Sequence, residues 1–252
     1  MAAPARVAAL WRHPIKAHGV EPLAAVELTP GQTLPWDRRW AIAHDAAKVA
    51  PGHRAWADCA NFSRGARSPA LMAIRARVDE AAGTVTLTHP ERPPLTVDPD
   101  AEPEALLAWV LPLSDRKRAL PAFVARADVG MTDSDFPSVS ILGTASLAAL
   151  SARAGRPLAQ ERFRGNLWLD GLEPFAEFDL VGREIAIGPV RLAVRERITR
   201  CKATMVDPET GRPDVDTLRL LREGWGHQDF GIYAVVTAGG RIAVGDAVEI
   251  PA

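Results

Sequence analysis

Short segments in which apolar and β-branched residues alternate or cluster, each closed by a turn signal, constrain this chain more than any other feature of its sequence. A strand repeats its side-chain direction every two residues, so such runs read as strands rather than helices. In the first half they predict strands over 5–11, 22–29, 39–43, 71–78 and 84–88, with Asp79-Glu80-Ala81-Ala82-Gly83 turning the last two into a hairpin. In the second half they predict strands near 138–142, 166–170, 184–187, 190–198, 230–236 and 241–249, with turns at Gly188-Pro189 and Gly239-Gly240. Three short helices interrupt the pattern. One follows Asp100, carries Pro103 in its first turn and stops at Pro112. Another runs from Thr144 to about Arg153 and ends at Gly155, and a third begins near Asp214 and ends at Gly224. The fold expected is mostly β with short helices.

The stretch 112–136 mixes the charges of Asp115, Arg116, Lys117 and Arg118 with Gly130 and the run Asp133-Ser134-Asp135, which marks an internal boundary. Two adjoining β-rich domains, 1–112 and 113–252, are the economical division of 252 residues. Thirty Lys and Arg stand against 31 Asp and Glu, so the chain offers no global attraction to nucleic acid or to an anionic membrane. Any anion site is therefore local. Arg6, Arg12, His13 and Pro14 interrupt the apolar N-terminal residues before a signal-peptide core forms, and no apolar stretch is long enough to span a bilayer. Two cysteines, Cys59 and Cys201, do not make a disulfide scaffold for a chain of this size. The expectation is a reduced, cytoplasmic protein with no nucleic-acid or membrane partner.

Several chemistries lack their residues. There is no G-x-G-x-x-G after a strand, no G-x-x-x-x-G-K-[ST] and no G-x-S-x-G elbow. The six histidines are dispersed and the cysteines lie far apart, which leaves no zinc spacing. His13 and His18 read as structural or surface residues. What remains is Cys201, bracketed by Arg200 and Lys202 at the end of Val190-Arg191-Leu192-Ala193-Val194-Arg195-Glu196-Arg197-Ile198-Thr199. Alternation sets Arg191, Arg195 and Arg197 on one face and Leu192 and Val194 on the other. Cations near a cysteine favour its thiolate, the form that ligates metal. The alternative is an inert, buried cysteine beside a solvated strand face. Asp207-Pro208-Glu209-Thr210-Gly211 follows, a turn signal that pins the cysteine beside a tight loop, with Asp207 a turn former rather than an acid or base.

Thr199-Arg200-Cys201 followed by Val206-Asp207-Pro208-Glu209-Thr210-Gly211 resembles the MOSC domain, named for the C-terminal part of molybdenum cofactor sulfurase. The same resemblance covers Arg162-Phe163-Arg164-Gly165-Asn166, Pro174-Phe175-Ala176-Glu177, Phe230-Gly231-Ile232-Tyr233 and Gly240-Arg241-Ile242-Ala243-Val244-Gly245-Asp246, in the right order and spacing. The first half, through His13-Pro14-Ile15-Lys16, Leu28-Thr29-Pro30-Gly31 and Asp37-Arg38-Arg39-Trp40, resembles the β-barrel domain that precedes MOSC in amidoxime-reducing members.

The resemblance implies a β-barrel MOSC domain after a β-barrel-like N-terminal domain. It implies the molybdenum cofactor, with Cys201 as metal ligand and catalytic residue. It also implies that Lys16, Arg38, Arg164, Asn166, Thr199 and Arg200 contact the pterin or its phosphate, since a phosphate demands cations and N–H donors. Read from local sequence alone, Arg38 could as well neutralise Asp37 at the surface and Asn166 could cap a turn. Relatives often have Ser-Cys where this chain has Ala17-His18, and usually Pro where Gly165 stands, a change expected to loosen that loop.

The activity implied is reduction of small N-hydroxylated, or N- or S-oxygenated, substrates. No plant-type C-x₄-C-x₂-C ferredoxin segment follows the last family strand, so electrons are expected from a separate small redox protein with a flavin reductase. An alternative is a non-catalytic protein that carries the cofactor or its sulfur. A non-metal alternative keeps Cys201 as a nucleophile with His227, the one histidine in the second half, although nothing local orients that ring.

Overall fold

A computed structural model describes residues 5–250; residues 1–4, which open the segment read for a signal peptide, and residues 251–252 lie outside them. The chain begins with β1 (Arg6–Arg12), β2 (Glu21–Leu23), β3 (Ala25–Leu28) and β4 (Trp40–His44). A three-stranded meander follows, β5 (Arg75–Asp79), β6 (Thr84–His89) and β7 (Arg92–Val97), then helix α1 (Pro103–Val110) and β8 (Pro121–Arg126). The second half contains β9 (Val139–Gly143), α2 (Thr144–Ala154), β10 (Leu167–Asp170), β11 (Glu184–Ile187) and β12 (Val190–Thr199). The short ladder β13 (Val206–Asp207) and β14 (Arg212–Pro213), α3 (Thr217–Trp225), β15 (Asp229–Ala238) and β16 (Gly240–Ala243) complete it. The fold is mostly β with short helices, as the period-two pattern predicts.

The largest sheet has seven strands in the order β11-β12-β15-β9-β10-β1-β2. Its neighbours are antiparallel except β9 and β10, which run parallel because α2 provides the crossover between them. Among the described residues its ladders do not close into a ring; the Ala186–Glu249 bridge extends the β11 edge. The first strands are interleaved with the second half. β1 lies between β10 and β2, and β3 pairs with β16 in the register Gly240↔Leu28 to Ala243↔Ala25. One core fills this part around Leu167, Trp168, Leu192, Phe230 and Ile232, where Phe163 stacks on Phe230 with centroids 4.1 Å apart. A second core, with Trp40, Ile42, Val85, Leu87, Leu106 and Val110, lies under β4, the meander and α1. No helix of the described residues is long and apolar enough to cross a membrane.

Several local expectations are corrected. The segment 71–78 begins as a 3₁₀ turn, Pro69–Ala73, and its strand starts only at Arg75. β7 escaped the pattern because Pro93 and Pro94 lack N–H groups, which an edge strand of the order β5-β6-β7 tolerates. β8 lies inside the stretch read as a boundary and pairs with β4, Trp40 opposite Arg126. Helix α3 is capped by Asp216, which accepts from the Arg219 N–H at 2.9 Å, and ends at Gly226 with φ 76°. Asp214 cannot cap it, because Arg162 holds its carboxylate with two hydrogen bonds of 2.6 Å. The strand expected over 241–249 breaks after Ala243, where Gly245 turns with φ 97°.

One glycine is required where β15 passes closest to β9. Between Arg197↔Ile232 and Thr199↔Asp229, β15 takes one more residue than β12, and Gly231 absorbs this bulge at φ 82°. A Cβ there would meet the Ile141 carbonyl and Leu142 Cγ at 2.7 Å. Gly231→Ala is expected to cost about 2–4 kcal/mol in urea unfolding, because strain and a backbone clash add. Gly83→Ala, at φ 72° in open space, should cost only about 1 kcal/mol.

Candidate functional site

The even positions of β12 face the core: Val190, Leu192, Val194 and Ile198 are buried while Arg195 and Arg197 are exposed. Register shifts at Val194/Glu196 and Arg197/Thr199 break this alternation and leave Glu196 exposed, and past the strand's end Arg200 turns inward. Its Nε donates to the Phe230 carbonyl at 2.7 Å and its Nη1 to the Phe163 carbonyl at 2.8 Å, whereas its Nη2 is buried without a partner. Cys201 comes next, exposed and unpaired, at the head of a 3₁₀ turn, Lys202–Met205. Its carbonyl accepts from the Thr204 hydroxyl at 3.1 Å, and that hydroxyl pairs with Thr217 of α3 at 2.7 Å. The loop beyond is the tight turn expected: the Asp207 carboxylate accepts from the Glu209 N–H at 3.0 Å and the Thr210 hydroxyl at 3.1 Å.

Cys201 borders a cavity of about 320 Å³. Lys16, Arg38, Arg164, Thr199 and Arg200, all named from sequence, line it together with Cys201. Asn166 does not. It is buried one layer below, where its Oδ1 accepts from the Ser140 hydroxyl at 2.8 Å and its Nδ2 donates to the Trp11 carbonyl at 3.2 Å, tying β9, β10 and β1 together. The Thr199 hydroxyl donates to Asp229 at 2.7 Å. Cys59, Arg64, Asp133 and Tyr233 also line the cavity. Local sequence gave no sign of Cys59 or Arg64, Asp133 was read as part of a boundary, and Tyr233 stood in a recognised motif without a role. Glu177 and Asp246, from the other motifs, lie elsewhere: Glu177 accepts from the Ser146 hydroxyl at 2.7 Å, and Asp246 from the Ala243 N–H at 2.8 Å.

Guanidinium groups knit three turns into one wall. Arg38 pairs with buried Asp37, which accepts the His13 N–H at 2.7 Å, so this pair is interior rather than a surface neutralisation. Arg38 Nη2 donates to the Arg164 carbonyl at 2.9 Å, and Arg164 Nη1 to the Gly19 carbonyl at 3.1 Å. Ala17, Arg38 and Arg164 adopt left-handed φ values of 63°, 51° and 47°, strain that clusters where a site over-determines its backbone. Gly165 is a close approach rather than a loosened hinge, because a Cβ there would strike Leu142. Lys16 is buried, and all its ammonium donors go to one segment: the carbonyls of Met131 (2.9 Å) and Thr132 (3.0 Å) and the Asp133 carboxylate.

The charges of this wall do not cancel. Lys16, Arg38 and Arg162 have the carboxylates of Asp133, Asp37 and Asp214, but Arg64, Arg164 and Arg200 have none in ion-pair reach among the described residues. Burial, reinforced by Arg38, pulls Arg164 down to about 9, and burial pulls Arg200 down to about 10, so both remain cationic at neutral pH. Asp133 lies exposed at the mouth of the cavity; the surrounding protein would raise its carboxyl, yet Lys16 holds it at about 2. Burial and Asp133 push the Tyr233 phenol up to about 12, which keeps its O–H protonated. The cavity therefore presents an excess of positive charge, the electrostatic setting for an anion, beside an exposed cysteine on its rim.

Beneath the wall, His13 and His18 are fully buried, as befits structural residues, and burial holds both neutral; His18 falls to about 4 from its ordinary 6.5. Since the unfolded chain binds the His18 proton first, stability falls as pH drops from about 6.5 towards 4. His18 alone should remove about 2 kcal/mol between pH 7.5 and 5 in urea unfolding, with His13 adding in the same direction, and His18→Gln should flatten that dependence.

The profile described as the MOSC N-terminal beta barrel domain matches residues 4–123, and that of the MOSC domain matches residues 131–249. Human mitochondrial amidoxime-reducing component 1 is 34% identical over 129 residues, 46% of this chain and 38% of that protein. The molybdenum cofactor sulfurase of Anopheles gambiae is 38% identical over 74 residues, 29% of this chain and 9% of that protein. The chain thus matches less than half the length of either relative. The crystal structure of the YUAD protein from Bacillus subtilis shares the fold, with a TM-score of 0.50 and 13% identity over 99% of this chain and 96% of that one.

Proposed function

Because the chain belongs to the MOSC family, with both the N-terminal β-barrel domain and the MOSC domain, we propose that it binds the molybdenum cofactor and reduces small N-hydroxylated, or N- or S-oxygenated, compounds. The observation that carries this reading is the excess of positive charge beside an exposed thiol. A phosphorylated pterin brings the anion that Arg164 and Arg200 lack, and Arg200 Nη2 is a buried donor without an acceptor. A thiolate is a soft ligand suited to molybdenum, and Cys201 presents its sulfur to solvent. The residues on the wall therefore fit the group.

In this reading Cys201 holds the metal, Arg38, Arg164 and Arg200 grip the phosphate, and Thr199 lies beside them. Lys16 ties the 131–133 segment to the cavity wall, and Asn166 fixes the turn that presents Arg164. When bound, the cofactor would supply oxygen-atom abstraction driven by two external electrons. Reduction of an amidoxime consumes two electrons and two protons and yields an amidine and water; the protons would come from solvent, and the protonated Tyr233 hydroxyl offers a hydrogen-bond donor on the cavity wall. The electrons would come from a separate small redox protein fed by a flavin reductase; the name of the human relative, a component, supports a protein that works with others. The sulfurase match supports a second reading, a protein that carries the cofactor without turnover.

Protein produced in a host that makes the cofactor should contain molybdenum and release a fluorescent pterin on denaturation. With a reduced viologen dye it should turn over benzamidoxime, and Cys201→Ala should lower that rate at least about a hundredfold, in line with loss of a metal ligand. Metal-loaded protein with no turnover over a panel of oxygenated substrates would favour the carrier. Wild-type protein free of both metal and pterin would end both readings.

A further inference from the structure

The positive charge of the cavity has two ends. Lys16, Arg38 and Arg164 are gathered by the turns 13–19, 36–38 and 163–166, which the Arg38 and Arg164 hydrogen bonds join. Arg64 arrives on a different piece of chain, the 59–73 segment. That segment is fastened to β4 by the Ala43–Phe62 bridge and by the Ser63 N–H, which donates to the Ile42 carbonyl at 2.8 Å. It reaches the cavity at the thiol end: a Cβ on Gly65 would lie 3.6 Å from the Cβ of Ala203, two residues past Cys201. The same Cβ would run into the Met72 sulfur, so Gly65 is the residue that lets Met72 and Arg64 share this wall.

Arg64 is set for a ligand that the protein does not supply. Its Nη1 donates to Cys59 Sγ at 3.3 Å, its Nε is buried without a partner, and among the described residues no carboxylate is in ion-pair reach. A half-buried guanidinium with one sulfur acceptor carries an unmet desolvation cost. A carboxylate meets it best, since two oxygens match the planar fork of N–H groups. Cys59 fixes the direction of that fork, and Met72 offers an apolar surface beside it.

We infer that Arg64 is the substrate-selecting residue of the cavity, and that the preferred substrates are oxygenated compounds bearing a carboxylate, bound with that group on Arg64 and the oxygenated end towards Cys201. The inference rests on the reductase reading for the fate of the substrate, but its binding half stands apart from turnover.

Two probes separate these points, benzamidoxime and 4-carboxybenzamidoxime, each titrated calorimetrically into the purified protein and assayed with a reduced viologen dye. Wild type should bind the carboxylated probe roughly tenfold to a hundredfold more tightly, the worth of one charge-assisted pair. Arg64→Gln should erase the difference and keep the molybdenum content of wild type. Equal affinities in wild type, or a preference that survives Arg64→Gln, overturn the inference. An Arg64→Gln protein that loses molybdenum also overturns it, because Arg64 would then serve the cofactor. A preference abolished by Arg64→Gln without turnover of either probe upholds Arg64 and sinks only the reductase reading.

Discussion

The hydrogen bonds that Arg38 and Arg164 make across three turns are the interaction on which the rest of the site depends. Arg38 reaches the Arg164 carbonyl, Arg164 reaches the Gly19 carbonyl, and Asp37 holds both Arg38 and the His13 N–H. Each guanidinium is withdrawn from bulk water, and carbonyl oxygens alone compensate Arg164 and Arg200 poorly. Three left-handed residues in the same wall add strain. An unliganded wall of this kind is costly, and an anion entering it recovers part of that cost. The fold's own imbalance thus favours an anion at this wall, and it does not require charge from the rest of a nearly neutral chain.

The strand order makes this wall possible. Residues 13–18 and 36–38 are distant in sequence from Cys201, yet β1 pairs with β10 and β3 with β16, which carries those turns to the end of β12. The bulge at Gly231 then bends β15 so that Arg200 can pass beneath it to the Phe230 and Phe163 carbonyls. Neither half of the chain holds the cavity alone, because Arg38 and Arg64 come from the first and Arg164, Arg200 and Cys201 from the second.

Much of this was legible in the residues, for physical reasons that differ by element. Alternating apolar residues marked β1 and the first part of β12, and short apolar clusters marked β9 and β11, which are buried along almost their whole length. Proline hid β7, since a missing N–H argues against a strand until its place on an edge is known. Charge hid β8, because a half-buried strand that follows Asp115 and Arg118 closely looks like a linker. Asp214 illustrates a competition that sequence does not rank: its carboxylate suits a helix cap, and the bidentate Arg162 contact won it. Arg64 and Cys59 were invisible, for what brings them to the cavity is how the 59–73 segment packs against β4, which no pattern within the segment announces.

The account comes down to whether the sulfur of Cys201 lies on the metal. X-ray absorption at the molybdenum edge, recorded on purified wild-type protein and on Cys201→Ser, counts the sulfur neighbours directly. Three sulfurs in wild type and two in the variant are the result expected from a cysteine ligand beside a dithiolene. The same sulfur count in both proteins would contradict it.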